Sequence, residues 1–356
     1  MKFGVARINF IRLVISTIIL LSLLHNCGKE GKIVKHKFPY MVTMSAPKEY
    51  PIEVHIGVLK DEKKELICGV PKAGVTTGSW QYDGVEAGQG GSRIPSHLDL
   101  TYVSYAEKKF WRVDADLPKE KILQLFREGF MVEGNPDSNG EIPWEESTYD
   151  GITIGAAPGG VVVVWLSGNH HRREVCRLQA KEISVDKNKF RPHPQYDETQ
   201  EQFFDKKYSI NISDSTKTAI VKTGIPFGSW DKYREKYTYR FVLAPYDNKD
   251  KITGLYRINY NGESEILMNA KSVETYKSDS VPYDVNFDFT KYNAEIVFND
   301  QEMLEVFGEM RKLYPDQPID IVLVPDFMYN DFKVVVQCKD KKIALEKFKV
   351  KRIWGG

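Results

Sequence analysis

Apolar and polar residues alternate in two stretches that lie far apart in the chain. In "IPSHLDLTYVS", from Ile94, the residues Leu98, Leu100 and Tyr102 share one face, and Pro95 stands second. In "VPYDVNFDFT", from Val281, the residues Val285, Phe287 and Phe289 do the same, and Pro282 stands second. A period of two predicts a half-buried strand. "FWRVDADLPKEKILQLF" and "YNAEIVFNDQEMLEVF" follow, each a strand running into a helix. Ile122, Leu123, Leu125 and Phe126 match Met303, Leu304, Val306 and Phe307 in helical spacing. Pro118 suits the first turn of one helix. Asn299 with Glu302 suits a capping box at the start of the other. Gly129 and Pro315 mark the stops.

The correspondence continues. "GITIGAAP" from Gly151 matches "PIDIVLVP" from Pro318, and "VVVVWLSG" matches "KVVVQCKD". "IEVHIGVLK" (52–60) and "YRFVLAPYD" (239–247) are the expected first strands. The predicted fold class is α+β, with two tandem β-β-α-β-β-like domains from an internal duplication, each an antiparallel sheet with one main helix. The expected boundaries are 49–186 for the first domain and 236–356 for the second. Between them, 187–235 is a polar, proline-bearing connector with a short helix around Thr199–Lys207.

The N-terminus breaks this pattern. Lys2, Arg7 and Arg12 precede an uncharged apolar run from Leu13 to Leu24. That run is too short to span a bilayer, which takes about 20 residues, and has the length of a signal-peptide core. Leu24-His25-Asn26-Cys27 places Leu three residues before a cysteine, as in a lipoprotein signal, although His25 and Asn26 are bulky for it. Residues 1–26 are therefore expected to be a lipoprotein signal peptide, Cys27 the lipidated residue, and 27–48 a tether. Gly28 is not Asp, so no inner-membrane retention signal follows. Lys29 and Glu30 resemble a surface-export tag. The expected location is the outer membrane, facing the periplasm or the surface.

The charge is balanced, with 50 basic and 49 acidic residues. Removing Lys2, Arg7 and Arg12 with the signal leaves 47 against 49. No concentrated basic face points to nucleic acid. Besides Cys27 there are Cys68, Cys176 and Cys338, an odd set with no C-x-x-C spacing. Free thiols buried in strands are expected, with one disulfide as the other arrangement.

Candidate chemistry is sparse. The stretch 69–91 holds seven glycines but lacks phosphate-loop spacing, and a strand follows where a helix is required. Trp80 and Tyr82 lie within it and read as exposed anchors for a partner. His170 and His171 are adjacent and would point to opposite sides of a strand, so "GNHHRRE" reads as a hairpin turn. His55, His97 and His193 make no recognisable spacing. "DVNFDFTKYNAE" imitates a calcium loop but carries Phe289 where glycine is required. Asp114 and Asp116 share a strand face and read as solvated carboxylates. No hydrolase, zinc-protease or Cys/His nucleophile motif is present, and no cofactor is expected.

Three stretches together resemble a bacterial lipoprotein family, domain of unknown function 2931. They are "AGQGGSRIPSHLDLTYVSYAEKKFWRVDADLP", "ITIGAAPGGVVVVWLSG" with "REVCRLQAKEI", and "GIPFGSWDKYREKYTYRF". The resemblance covers about residues 50 to 245. Its most specific parts are Ala157–Trp165 and Trp230, Tyr233 and Tyr237. Tyr102 stands where members usually carry Trp. The resemblance implies a lipid-anchored envelope protein without assigned catalytic residues. It also implies an immunity role for some members, whose genes lie beside secreted antibacterial effectors. The expected function is thus a non-enzymatic envelope protein that binds a protein partner through loops bearing Trp80, Tyr82 and Trp230. A surface protein binding a glycan, with exposed Trp80, Trp144 or Trp230 in one groove, is the second expectation. An enzyme built on Asp114 and Asp116 is the third.

Overall fold

The computed structural model describes residues 37–76, 79–192 and 197–355. The leader, Cys27, Gly78 and His193 lie outside the described residues. The fold is mixed α/β and mostly sheet, with seven helices among the described residues.

The first half contains β1 (Tyr40–Ser45), β2 (Ile52–Lys60), β3 (Leu66–Gly69), β4 (Val75–Thr76), β5 (Val85–Gly91), β6 (His97–Ser104) and β7 (Lys109–Asp116). Helix α1 (Lys119–Glu128) leads to β8 (Phe130–Glu133), β9 (Trp144–Ser147), β10 (Gly151–Ala157), β11 (Val161–Gly168), β12 (His171–Gln179) and β13 (Lys181–Ile183). Two sheets result. One runs β13-β7-β6-β2-β3, the other β12-β11-β10-β1-β5. Between them lies a core that includes Val42, Met44, Ile52, Val54, Leu98, Leu100, Ile152, Val162 and Val164. Ile122 and Phe126 are the buried residues of α1 and belong to the same core.

The expectation of one antiparallel sheet per half is corrected here. β1 pairs in parallel with β10, in the register Met41 with Gly151 through Ser45 with Gly155. Residues 40–45, expected within the tether, are therefore a core strand, and Tyr40, Val42 and Met44 are buried.

The second half contains β14 (Tyr237–Leu243), β15 (Ile252–Asn259), β16 (Ser264–Leu267), β17 (Lys277–Asp279), β18 (Pro282–Phe289), β19 (Asn293–Phe298), β20 (Ile319–Pro325), β21 (Phe332–Cys338), β22 (Lys341–Ala344) and β23 (Phe348–Trp354). Its strands run β23-β19-β18-β15-β16 and β17-β14-β20-β21-β22. β14 pairs in parallel with β20. Both expected first strands are present, 52–60 as β2 and most of 239–247 within or just after β14. Asn299 caps the main helix of this half by accepting from the Glu302 N–H at 3.0 Å. Glu302 does not return the bond. Its carboxylate accepts from the N–H groups of Glu346 and Lys347.

The connector is a cap of helices, α2 (Lys187–Phe190), α3 (Gln200–Asn211), α4 (Asp214–Thr223) and α5 (Ser229–Lys232). Thr199 and Gln202 form a reciprocal cap at the start of α3. Phe190, Phe203, Phe204, Ile212 and Trp230 pack with Val161, Val163 and Trp165. Alternate residues of β11 thus enter two different cores, which explains the unbroken run "VVVVWL". β20 has no such cover. Its residues alternate between buried and half-buried, although Asp320 is its one polar residue. Two shorter helices complete the set, α6 (Ala270–Glu274) and the main helix α7 (Asp300–Leu313).

The halves join where β12 meets β16 at one register pair, Arg172 with Ser264. Around it lies a dense charge network. Arg257 bonds Glu265 and Asp279, each at 2.5 Å, and the Tyr239 hydroxyl at 2.8 Å. Arg173 bonds Glu265 at 2.7 Å. Arg234 grips Glu174 with both ends of its guanidinium.

Candidate functional site

The seam between the halves gathers the features that a partner could read. On one side the loop after β4 meets the connector and the second half. Tyr50, Trp80, Trp230, Tyr233, Tyr260 and Tyr283 line a hollow of about 330 Å³ there. Trp80 stands edge-on to Trp165 at 4.9 Å and lies 6.5 Å from Trp230. Trp80 is 2% exposed and Trp230 4%. They were expected as exposed anchors, and that expectation is corrected. Gly262, in the turn between β15 and β16, is the reason for Trp80. A Cβ there would lie 3.0 Å from the Trp80 carbonyl and 3.1 Å from the Trp165 ring. The second half therefore closes over both rings. Trp230 is fixed by edge contact with Tyr50 and by Arg177, which holds its neighbour Asp231 through two bonds of 2.8 Å. Tyr82 remains exposed at 42%.

On the other side, β8 and β9 form a two-stranded ribbon that pairs with no other strand among the described residues. Its inner face is anchored by Phe130, which stacks on His171 at 4.0 Å and meets Tyr149 edge-on. Met131, Ile142 and Trp144 are exposed along this hairpin, the last at 47%, and Met131 and Trp144 border the groove it overhangs. From Glu128 to Asp150 the chain has seven carboxylates and no Lys or Arg. Glu133, Asp137, Glu141, Glu145 and Glu146 are all exposed. No salt bridge engages these five among the described residues. The ribbon overhangs a groove of about 630 Å³, whose floor includes Leu255, Ile266, Leu267 and Met268.

The remaining histidines and carboxylates sort clearly. Asn169 and His170 both have positive φ and form the two-residue turn between β11 and β12. His170 meets Tyr256 edge-on. Burial pushes the His171 imidazole pKa down to about 4. His97 lies between Asp114 at 2.6 Å and Asp116 at 2.8 Å, with Lys64 on the same ring nitrogen as Asp116. Both ring nitrogens of the buried His97 are engaged, so the imidazole ties Asp114 and Asp116 together. The sequence reading paired the two aspartates but did not bring His97 to them. Cys68, Cys176 and Cys338 are free thiols in β3, β12 and β21. No group of three or more His, Cys, Asp or Glu side chains among the described residues is arranged to hold a metal ion.

Two features escaped the sequence reading. The acid-only run from 128 to 150 is visible in the sequence, and charge counting would have found it. Arg172 is 3% exposed at the seam. Nothing in the local pattern of "HHRRE" separates it from Arg173.

No curated protein and no solved structure matches the chain significantly. The family described as "Protein of unknown function (DUF2931)" matches residues 27–228. That segment takes in all of the first half from β1, the acidic ribbon and the connector helices up to the edge of α5. The chain belongs to the DUF2931 family, whose function is unknown.

Proposed function

We propose that this chain is a lipid-anchored, non-enzymatic protein of the outer envelope that binds a basic protein partner, a secreted antibacterial effector being the class its family resemblance suggests. The carrying observation is the ribbon β8–β9. It presents Met131, Ile142 and Trp144 among five exposed carboxylates that have no salt bridge within the described residues. Aromatic and apolar anchors surrounded by one sign of charge suit a protein of opposite sign. Leu24 and Cys27 support the anchor.

The experiment places a photo-crosslinking residue at position 144 of the full chain in envelope membranes, with position 221 as an exposed control. A basic protein captured at 144 alone, and lost when Glu141, Glu145 and Glu146 become Gln, fits the proposal. Capture at both positions, or capture indifferent to the three acids, contradicts it.

The hollow lined by Tyr50, Tyr233 and Tyr283 favours the second reading, a glycan or small ligand. Burial of the Trp80 and Trp230 rings removes the stacking platforms that such a ligand needs, so this reading ranks below the first. The finer architecture is part of the same proposal. The two halves descend from one duplicated unit, supported by matched strand orders and by the parallel pairs β1–β10 and β14–β20.

A further inference from the structure

Arg172 is a buried cation with an incomplete set of partners. One terminal nitrogen donates to the Trp80 carbonyl at 3.0 Å. The guanidinium lies over the Trp165 ring, 4.0 Å from its centroid. Nε and Nη2 have no hydrogen-bond partner among the described residues. The nearest carboxylate is Asp83, whose Oδ1 stands 3.8 Å from Nε, beyond hydrogen-bonding reach. That oxygen already accepts from the Thr153 hydroxyl at 2.5 Å. Burial holds the Arg172 pKa down, to about 10, and Asp83 and Tyr256 offset only part of this.

The space beside Arg172 has a definite chemistry. It is a cavity of about 180 Å³ walled by polar groups, among them Ser167, Asn169 and Ser264. Asn169, His170 and Tyr256 line both this cavity and the groove beneath the acidic ribbon. The turn between β11 and β12 thus borders both spaces. The inner end is polar and holds an under-partnered guanidinium. The outer end is wider and apolar, with Met131, Val132, Leu267 and Met268.

We propose that the two spaces open onto one another at this turn and together bind an amphiphilic carboxylate of the fatty-acid class. The head group takes the free edge of Arg172, replacing Asp83, and the alkyl chain lies along the apolar groove. A carboxylate offers two oxygens to a guanidinium edge with two free N–H groups, a geometry that a point-like anion does not reproduce. The outer rim carries Glu133 and Asp288, so the charged end is directed inward and the neutral chain outward. This inference does not rest on the protein-partner reading.

The test titrates the full chain with decanoate, decanol and decyl sulfate. Tryptophan fluorescence reads the result, because Trp165 lies directly beneath Arg172. Decanoate should bind at least about tenfold more tightly than decanol, the scale of one charge-assisted bond. Decyl sulfate, whose tetrahedral head can also bridge a guanidinium edge with two oxygens, should likewise bind more tightly than decanol. Asp83→Asn removes the competing carboxylate on an exposed loop and should tighten decanoate binding severalfold. Glu145→Gln together with Glu146→Gln should leave decanoate binding unchanged, so failure of the partner reading remains distinguishable. Equal affinity for decanoate and decanol, weaker decanoate binding in Asp83→Asn, or no binding of decanoate would overturn the inference. Decyl sulfate binding no more tightly than decanol would also overturn it.

Discussion

The guanidinium of Arg172 lies over the indole of Trp165, 4.0 Å from carbon to ring centroid. This pair sits where β12 and β16 join the halves. The Asn261–Gly262 turn of the second half presses on the same indole. The seam is thus held by a turn that only glycine fits, since Gly262 has φ 86° and no room for a side chain. Gly262→Ala should destabilise the fold by about 1–3 kcal/mol. Gly308, inside α7 with open space around it, should behave oppositely, and its Ala variant should gain about 0.8–1 kcal/mol. Urea unfolding of the two variants measures both.

Arg257 holds two buried carboxylates at once, Glu265 and Asp279. Arg257→Met leaves both without their main partner and should cost about 3–5 kcal/mol. Burial alone would raise the Asp279 pKa. Arg257, Lys236 and Arg173 outweigh it and hold the pKa below its ordinary value of 3.8. Its contribution is therefore present above about that pH and is lost as pH falls through the lower folded value. Denaturation midpoints across acidic pH should show this loss in the wild type, and a smaller one in the variant.

His171 gives a second pH effect in a different window. Its folded pKa is lowered to about 4, mainly by burial, from an ordinary 6.5. Below 6.5 the unfolded chain takes a proton that the folded chain refuses, so stability should fall as pH drops from 6.5 towards 4. His171→Phe keeps the ring stack on Phe130 and should flatten that slope. Ring proton shifts by NMR give the folded pKa directly.

Burial pushes the Cys68 thiol up to about 11 and the Cys176 thiol up to about 12. Cys338 is raised for the same reason. A disulfide reagent at neutral pH should react slowly with the folded protein, because the thiolate is the reactive form. Denaturant should release all three of these thiols. A fourth fast-reacting thiol would be Cys27 without its lipid.

Much of the strand and helix pattern was legible because many strands bury one face. β6, β18 and the two main helices follow from spacing alone. Strand β1 was missed because "YMVTMS" is apolar with little alternation, and its parallel pairing with β10 depends on residues more than a hundred positions away. The burial of Trp80 was illegible for a related reason. A glycine-rich loop reads as exposed, and only the docking of the Gly262 turn closes it. Arg172 is the extreme case, since no local rule distinguishes a buried seam arginine from its half-buried neighbours. The acidic ribbon was written plainly in the composition of 128–150, where charge, not periodicity, carries the signal.

Tethering at Cys27 is the premise on which partner capture at the envelope depends. The direct measurement is the intact mass and membrane partition of the full chain beside Cys27→Ala. The prediction is a wild-type chain that begins at Cys27, carries added acyl mass and partitions to the outer membrane, with the variant left unprocessed there. A wild-type chain with unmodified Cys27 and no membrane partition would contradict the proposed role.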